Sequence, residues 1–111
     1  MAKLGDLTLT GASGKKYTFA VYPADTTWKD GVAGVYYVSR RTAKPDGSGD
    51  HSKIYVGETS DLKDRFENHH KQKCFEKNGY NAISILQESN ENTRLAIEGD
   101  LVDALSPPCN D

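Results

Sequence analysis

The chain is poor in several residue types that would place it quickly. It has two cysteines, one tryptophan, one methionine and four prolines among 111 residues. Cys74 and Cys109 make no framework of paired spacings, so the expected setting is a reducing, cytoplasmic one with two unpaired thiols. No apolar run approaches the ~18–20 residues of a membrane span. The opening MAKLGDLTLTG lacks the apolar stretch of a signal peptide, because Asp6 and the threonines interrupt it. There is no internal repeat, low-complexity segment or interdomain linker. A chain of this length has room for one domain, expected over 1–111. With 36% hydrophobic and 27% charged residues it reads as an ordinary soluble globular protein.

It also lacks an excess of positive charge. A net charge of −2 argues mildly against a protein that grips phosphates. The distribution is more informative than the sum. Residues 1–80 hold 13 Lys/Arg against 10 Asp/Glu, whereas residues 81–111 hold Arg94 alone against six acidic residues. The basic side chains include Arg40, Arg41, Lys44, Lys53, Lys63, Arg65, Lys71, Lys73 and Lys77. A solvated mixed-charge surface would look the same, so this pattern permits a nucleic-acid substrate without demanding one.

What is present reads as alternating strands and helices. Leu7–Thr10, the turn Gly11-Ala12-Ser13-Gly14 and YTFAVY at 17–22 make a β-hairpin, ended by Pro23. Residues 24–31 are a connector carrying Trp28. VAGVYYVSR at 32–40 is a buried strand, followed by the AKPDGSGDH loop, expected to be mobile, and a short strand at Ile54-Tyr55-Val56. Thr59-Ser60-Asp61 caps a helix expected from about Leu62 to near Lys73, with Leu62 and Phe66 facing the core. Asn78-Gly79 breaks the chain, and Ala82–Leu86 is a strand. A last helix is capped by Asn90 or Asn92, carries Leu95, Leu101, Val102 and Leu105 as its apolar stripe, and stops at Pro107-Pro108. The expected class is α+β.

Six features follow in order along this frame. Gly34-Val35-Tyr36 stands in one strand and Tyr55-Val56-Gly57 ends the next. Arg65 comes 10 positions after Tyr55, and His69 four positions later, one helical turn on. Glu98 lies mid-way along the last helix, and Asn110 near the C-terminus. This order resembles the GIY-YIG nuclease signature over residues 32–110, with residues 1–31 as an N-terminal hairpin extension and connector. Both tripeptides carry Val where Ile is common, and the Tyr36-to-Tyr55 gap is lengthened by the loop. The resemblance implies a small, mostly antiparallel sheet flanked by helices, and an endonuclease using Mg(II) or Mn(II) on nucleic acid, DNA ahead of RNA.

The residue chemistry agrees. Phosphodiester hydrolysis needs a nucleophilic water and neutralisation of the phosphoryl oxygens. Glu98 is a hard oxygen ligand for one such metal ion, and a lone carboxylate leaves room for water and phosphate. Arg65 offers a permanently charged fork for phosphate. Tyr36 is the expected base and Tyr55 orients the water or bonds Tyr36, although only about one phenol in a thousand is ionised at pH 7. A metal and Arg65 are expected to lower the Tyr36 pKa. His69, whose ordinary pKa suits the task, is the rival base.

The substrate-binding set is Gly57, Lys53, Lys63, His70, Lys71, Lys73 and Asn110, with Asn110 also read as an anchor for Glu98 or the backbone. A homodimer or partner protein would add grip. His69, His70 and Cys74 lack the paired C-x-x-C of a zinc site, so the cysteines read as small apolar residues. The competing reading is a non-catalytic binding module for nucleic acid or protein on the same scaffold.

Overall fold

Residues 3–67 and 69–110 are described by a computed structural model of the chain. The elements are β1 (Gly5–Thr10), β2 (Lys16–Pro23), β3 (Gly34–Ala43), β4 (Gly49–Thr59), α1 (Leu62–Glu67), α2 (Gln72–Lys77), β5 (Ala82–Gln87) and α3 (Glu91–Leu105), then a 3-10 turn at Pro108–Asn110. The five strands form one antiparallel sheet in the order β1-β2-β5-β3-β4. The α+β class is as expected.

Alternation along β3 sends its side chains to two cores. Tyr36 and Val38 join Ile54, Tyr55, Leu62, Phe75, Ile83 and Ile85 on the face covered by α1 and α2. Val35 and Tyr37 join Phe19, Val56, Ile97 and Leu101 on the face covered by α3. The β3–β4 register shifts between Val38 and Ser39, where Tyr55 pairs with Val38 and Lys53 with Ser39. Ile54 is the extra residue of this β-bulge, and Ile54 and Tyr55 therefore both serve the α1/α2 face.

The structure corrects several expectations. The AKPDGSGDH segment is mostly hairpin: β3 runs to Ala43, β4 begins at Gly49, and residues 44–48 alone make the turn. The helix expected from Leu62 to near Lys73 is two short helices, with His69, His70 and Lys71 between them; Asn68 lies outside the described residues. Leu95 is exposed, and the buried residues of α3 are Arg94, Ile97 and Leu101.

The caps are where the sequence put them. The Asp61 carboxylate accepts from the Lys63 and Asp64 backbone N–H groups, and the Asn90 side chain accepts from Thr93 N–H at 3.0 Å. No helix among the described residues is long and apolar enough to cross a membrane.

The N-terminal hairpin is built into the sheet. β2 pairs with β5 from Ala20 to Pro23. Its turn docks on α3: the Ser13 N–H and hydroxyl donate to Asp100 at 2.8 and 2.7 Å, and the Tyr17 hydroxyl donates to it at 2.8 Å.

The cysteines are not two unpaired apolar residues. Cys74 on α2 and Cys109 in the C-terminal turn form a disulfide across 35 positions. Two elements that meet only in the folded chain bring them together, which no local spacing announces. The pairing removes the basis on which a reducing compartment was expected. Closing a loop of this length is expected to contribute about 3–4 kcal/mol. Cys109→Ser should lower the urea midpoint accordingly, and reductant should lower that of the wild type but not that of the variant. Equal midpoints for all three would contradict the clamp.

Candidate active site

β3 delivers Tyr36 to the centre of the α1/α2 face, where it is fully buried. Its phenol lies across Gly57, and a Cβ at that position would run into the Tyr36 hydroxyl end and the Tyr55 ring. The glycine is therefore required by close approach and touches the tyrosines. The Tyr36 and Tyr55 rings stand 5.9 Å apart, and Phe66 meets Tyr36 edge-on at 4.9 Å.

A buried phenol needs a partner, and His69 supplies it: Tyr36 Oη and His69 Nε2 are 2.7 Å apart. The break between α1 and α2 makes this reach feasible. It also turns the Lys71 backbone N–H toward His69 Nδ1, at 3.0 Å. A backbone N–H can only donate, so Nδ1 is the acceptor and the neutral ring carries its proton on Nε2. His69 Nε2–H therefore donates to the Tyr36 oxygen. Phe75 packs against His69 at 4.7 Å, and His70 stacks on it at 4.9 Å.

Electrostatics sharpen this assignment. Burial, followed by the charges of His70, Arg65 and Lys71, lowers the His69 pKa to about 4. The ring is thus neutral at pH 7, and its pKa stands well below the ordinary value on which its suitability as a base was expected. Tyr36 is also shifted. Burial raises it far above its ordinary value, Tyr55 adds to the rise, and Arg65 opposes it. The expected lowering by Arg65 is present but smaller than the effect of burial. Tyr55 is raised by burial and by Glu98, against Tyr36 and Arg65.

α3 brings Glu98, half-buried, to the same place. Burial and then the Glu58 charge raise its pKa, while the Glu58 backbone N–H and Arg65 favour its ionised form. Glu98 makes no direct ion pair among the described residues. Tyr36, Tyr55, Arg65, His69 and Glu98 are thus assembled around the end of β4.

The other expected residues are less closely gathered. Lys63 pairs with Asp30 at 3.3 Å. Lys53 lines a cavity with Tyr37, Leu105 and Pro108, on the α3 side of the sheet. Asn110 spends its carboxamide on one residue: its oxygen accepts from Val56 N–H at 2.9 Å and its nitrogen donates to Val56 C=O at 2.8 Å. It is a backbone anchor. His70 and Lys73 are exposed and Lys71 half-buried, next to or just beyond His69. Among the described residues no three His, Cys, Asp or Glu side chains come together.

Phe66, expected in the core, packs on Tyr36 and His69, while Phe75, Glu58 and Arg94 are partners of the cluster to which the sequence assigned no role. Arg94 had one signal, as the only basic residue after position 80. A cavity of about 620 Å³ beside Tyr22, Trp28 and Leu62 contains none of the five clustered residues.

The chain matches the GIY-YIG catalytic domain over residues 32–108 and belongs to that family, which is of nuclease type. No curated protein and no solved structure matches it.

The lowered pKa of His69 links the stability of the fold to pH. The unfolded chain takes the proton near the ordinary value of 6.5, the folded chain only near 4. Between those values the unfolded state binds more protons, so stability is whole above the window and falls as pH drops through it. Urea denaturation at pH 7.5 and 4.5 should show a loss in the wild type to which His69 contributes up to about 3 kcal/mol. His69→Gln should show a smaller loss, and an unchanged one would contradict the buried neutral ring.

Proposed function

We propose that the protein is a metal-dependent endonuclease that hydrolyses phosphodiester bonds, with DNA as its substrate ahead of RNA. The observation that carries this reading is the 2.7 Å Tyr36–His69 bond in a cluster that also holds Arg65 and Glu98. A non-catalytic binding module has no need of Tyr36, Tyr55, Arg65 and Glu98 all together.

Tyr36 is the base, acting as phenolate on the attacking water. His69 donates Nε2–H to the phenolate oxygen and holds it in place, and the same bond leaves that nitrogen no lone pair with which to take a proton. Tyr55, beside the Tyr36 ring, orients the water. Arg65 binds the phosphoryl oxygens and favours the phenolate. The water oxygen bonds to phosphorus, its proton passes to Tyr36, and the bond to the leaving sugar oxygen breaks.

Glu98 fits a hard divalent ion such as Mg(II) or Mn(II). It is a half-buried oxygen donor without a direct ion pair among the described residues, and a lone carboxylate suits an ion that keeps several water ligands. Held there, the ion would supply positive charge for the phosphoryl and leaving oxygens.

Nucleic acid would approach over His70, Lys71 and Lys73. With Lys63 spent on Asp30 and Lys53 on the α3 side, the grip is weak and salt-sensitive. The hairpin of residues 1–31 and the 32–110 core act as one unit, supported by the β2–β5 ladder and the Asp100 contacts.

Plasmid nicking tests the reading. The wild type should cut with magnesium. Tyr36→Phe should lose on the order of 10²–10⁴-fold, and Glu98→Ala and Arg65→Ala should fall to background. A wild type that does not cut with magnesium, or variants that cut equally well, would sink it.

A further inference from the structure

Arg94 is the only cationic side chain after position 80, and it is 3% exposed. Its guanidinium is satisfied from two directions. Nε donates to Glu58 Oε1 at 2.9 Å, and Nη1 donates to the carbonyls of Glu88 and Ser89 at 3.1 and 2.8 Å. One side chain thus ties α3 to the end of β4 and to the link between β5 and α3.

Glu58 stands at the junction of two contacts. Its carboxylate holds Arg94, and its charge and backbone N–H both act on the Glu98 carboxyl, the charge raising its pKa and the N–H lowering it. Arg94 and Glu98 are four positions apart on α3 and so lie one turn apart on the same helix face. The Arg94–Glu58 bond therefore sets the height and rotation of α3 against β4 one turn from Glu98. Arg94 also offsets the Glu58 charge, which would otherwise stand uncompensated beside a second carboxylate.

Stability is a weak reason for such a pair. The cost of dehydrating a buried ion pair often equals the attraction it gains, and apolar replacements of similar volume are commonly as stable. A geometric role accounts for the arrangement better, because a planar fork with three fixed acceptors defines an orientation that apolar packing does not.

We propose that Arg94 is the positioning residue for Glu98: clamped on Glu58, Glu88 and Ser89, it sets where α3 holds the Glu98 carboxylate relative to the end of β4. The proposal rests on Glu98 as the metal-holding carboxylate. Arg94 touches neither substrate nor metal and acts through the helix it locks.

Direct Mn(II) binding, followed by electron paramagnetic resonance on the whole protein, reads this role without cleavage. Thermal unfolding and the magnesium dependence of nicking are measured alongside. Arg94→Met, Arg94→Lys and Glu58→Gln should each weaken Mn(II) binding at least fivefold. Each should also raise the magnesium concentration for half-maximal nicking by a similar factor. Arg94→Lys keeps the charge and loses the fork, so it separates orientation from charge.

Should Arg94→Met fail to fold, Glu58→Gln and Arg94→Lys carry the test, since each retains a polar group where the original stood. Folded variants with wild-type Mn(II) affinity would overturn the proposal, even with a lowered melting temperature. In that case nicking by the wild type would leave the nuclease reading standing. If the wild type binds no Mn(II), or Glu98→Gln binds it equally well, the assignment of the metal to Glu98 fails and the positioning role fails with it.

Discussion

The burial of one phenol is the constraint on which the rest of the site depends. Tyr36 sits in the middle strand of the β5-β3-β4 group with no exposed surface, and its oxygen must be satisfied inside the protein. That requirement selects a neutral His69, places it between two helices instead of within one, and commits the Lys71 N–H to its other nitrogen. It also demands glycine at 57, because the phenol occupies the space a side chain would need. The aromatic neighbours Phe66 and Phe75 then close around both rings. Burial makes Tyr36 a stronger base once ionised and at the same time harder to ionise. Positive charge nearby is what reconciles the two, and Arg65 is placed to supply part of it.

The second requirement is that a helix from the other face of the sheet deliver a carboxylate to this phenol. α3 packs Ile97 and Leu101 into the opposite core, yet Glu98 has to reach the end of β4. Apolar packing alone would leave α3 free to slide or roll by a fraction of a turn. Two polar contacts remove that freedom from opposite sides of Glu98: Arg94 on Glu58, and Asp100 on the Ser13–Tyr17 turn. The N-terminal hairpin is thereby coupled to the site although it contributes no side chain to it.

Much of this was legible in the sequence, and the reasons are physical. Strand and helix order followed from local periodicity and caps, which depend on near neighbours: Asn90 and Asp61 cap their helices, and Pro107 stands just after the last one. The cluster of Tyr36, Tyr55, Arg65, His69 and Glu98 was legible because its residue types recur in a known order. The details that depend on tertiary context were not. A continuous helix through His69 satisfied every local rule, and only the need of the Tyr36 oxygen for a partner argues for the break. A helical Arg94 reads as surface until Glu58 is brought to it. The signs of the pKa shifts likewise depend on how deeply each group lies, which neither spacing nor motif encodes.

The disulfide and Asn110 address one further problem, the open edge of the sheet. β4 is an edge strand and carries the bulge that aims Tyr55, so its outer backbone groups face no neighbouring strand. An edge so placed invites pairing with another chain. Asn110 blocks it with a side chain: its carboxamide supplies to Val56 the one acceptor and one donor that a sixth strand would have offered. A sixth strand would continue along β4 toward Glu58, where Arg94 is already bonded to the Glu58 carboxylate. A single amide caps the edge at Val56 and leaves the next residues clear for α3. It can do so only if the C-terminal turn stays in place, and the Cys74–Cys109 bond ties that turn to α2, beside Phe75 and the ring of His69. The covalent link therefore serves the geometry of the same two tyrosine-bearing strands as the buried histidine does, from the other side of β4.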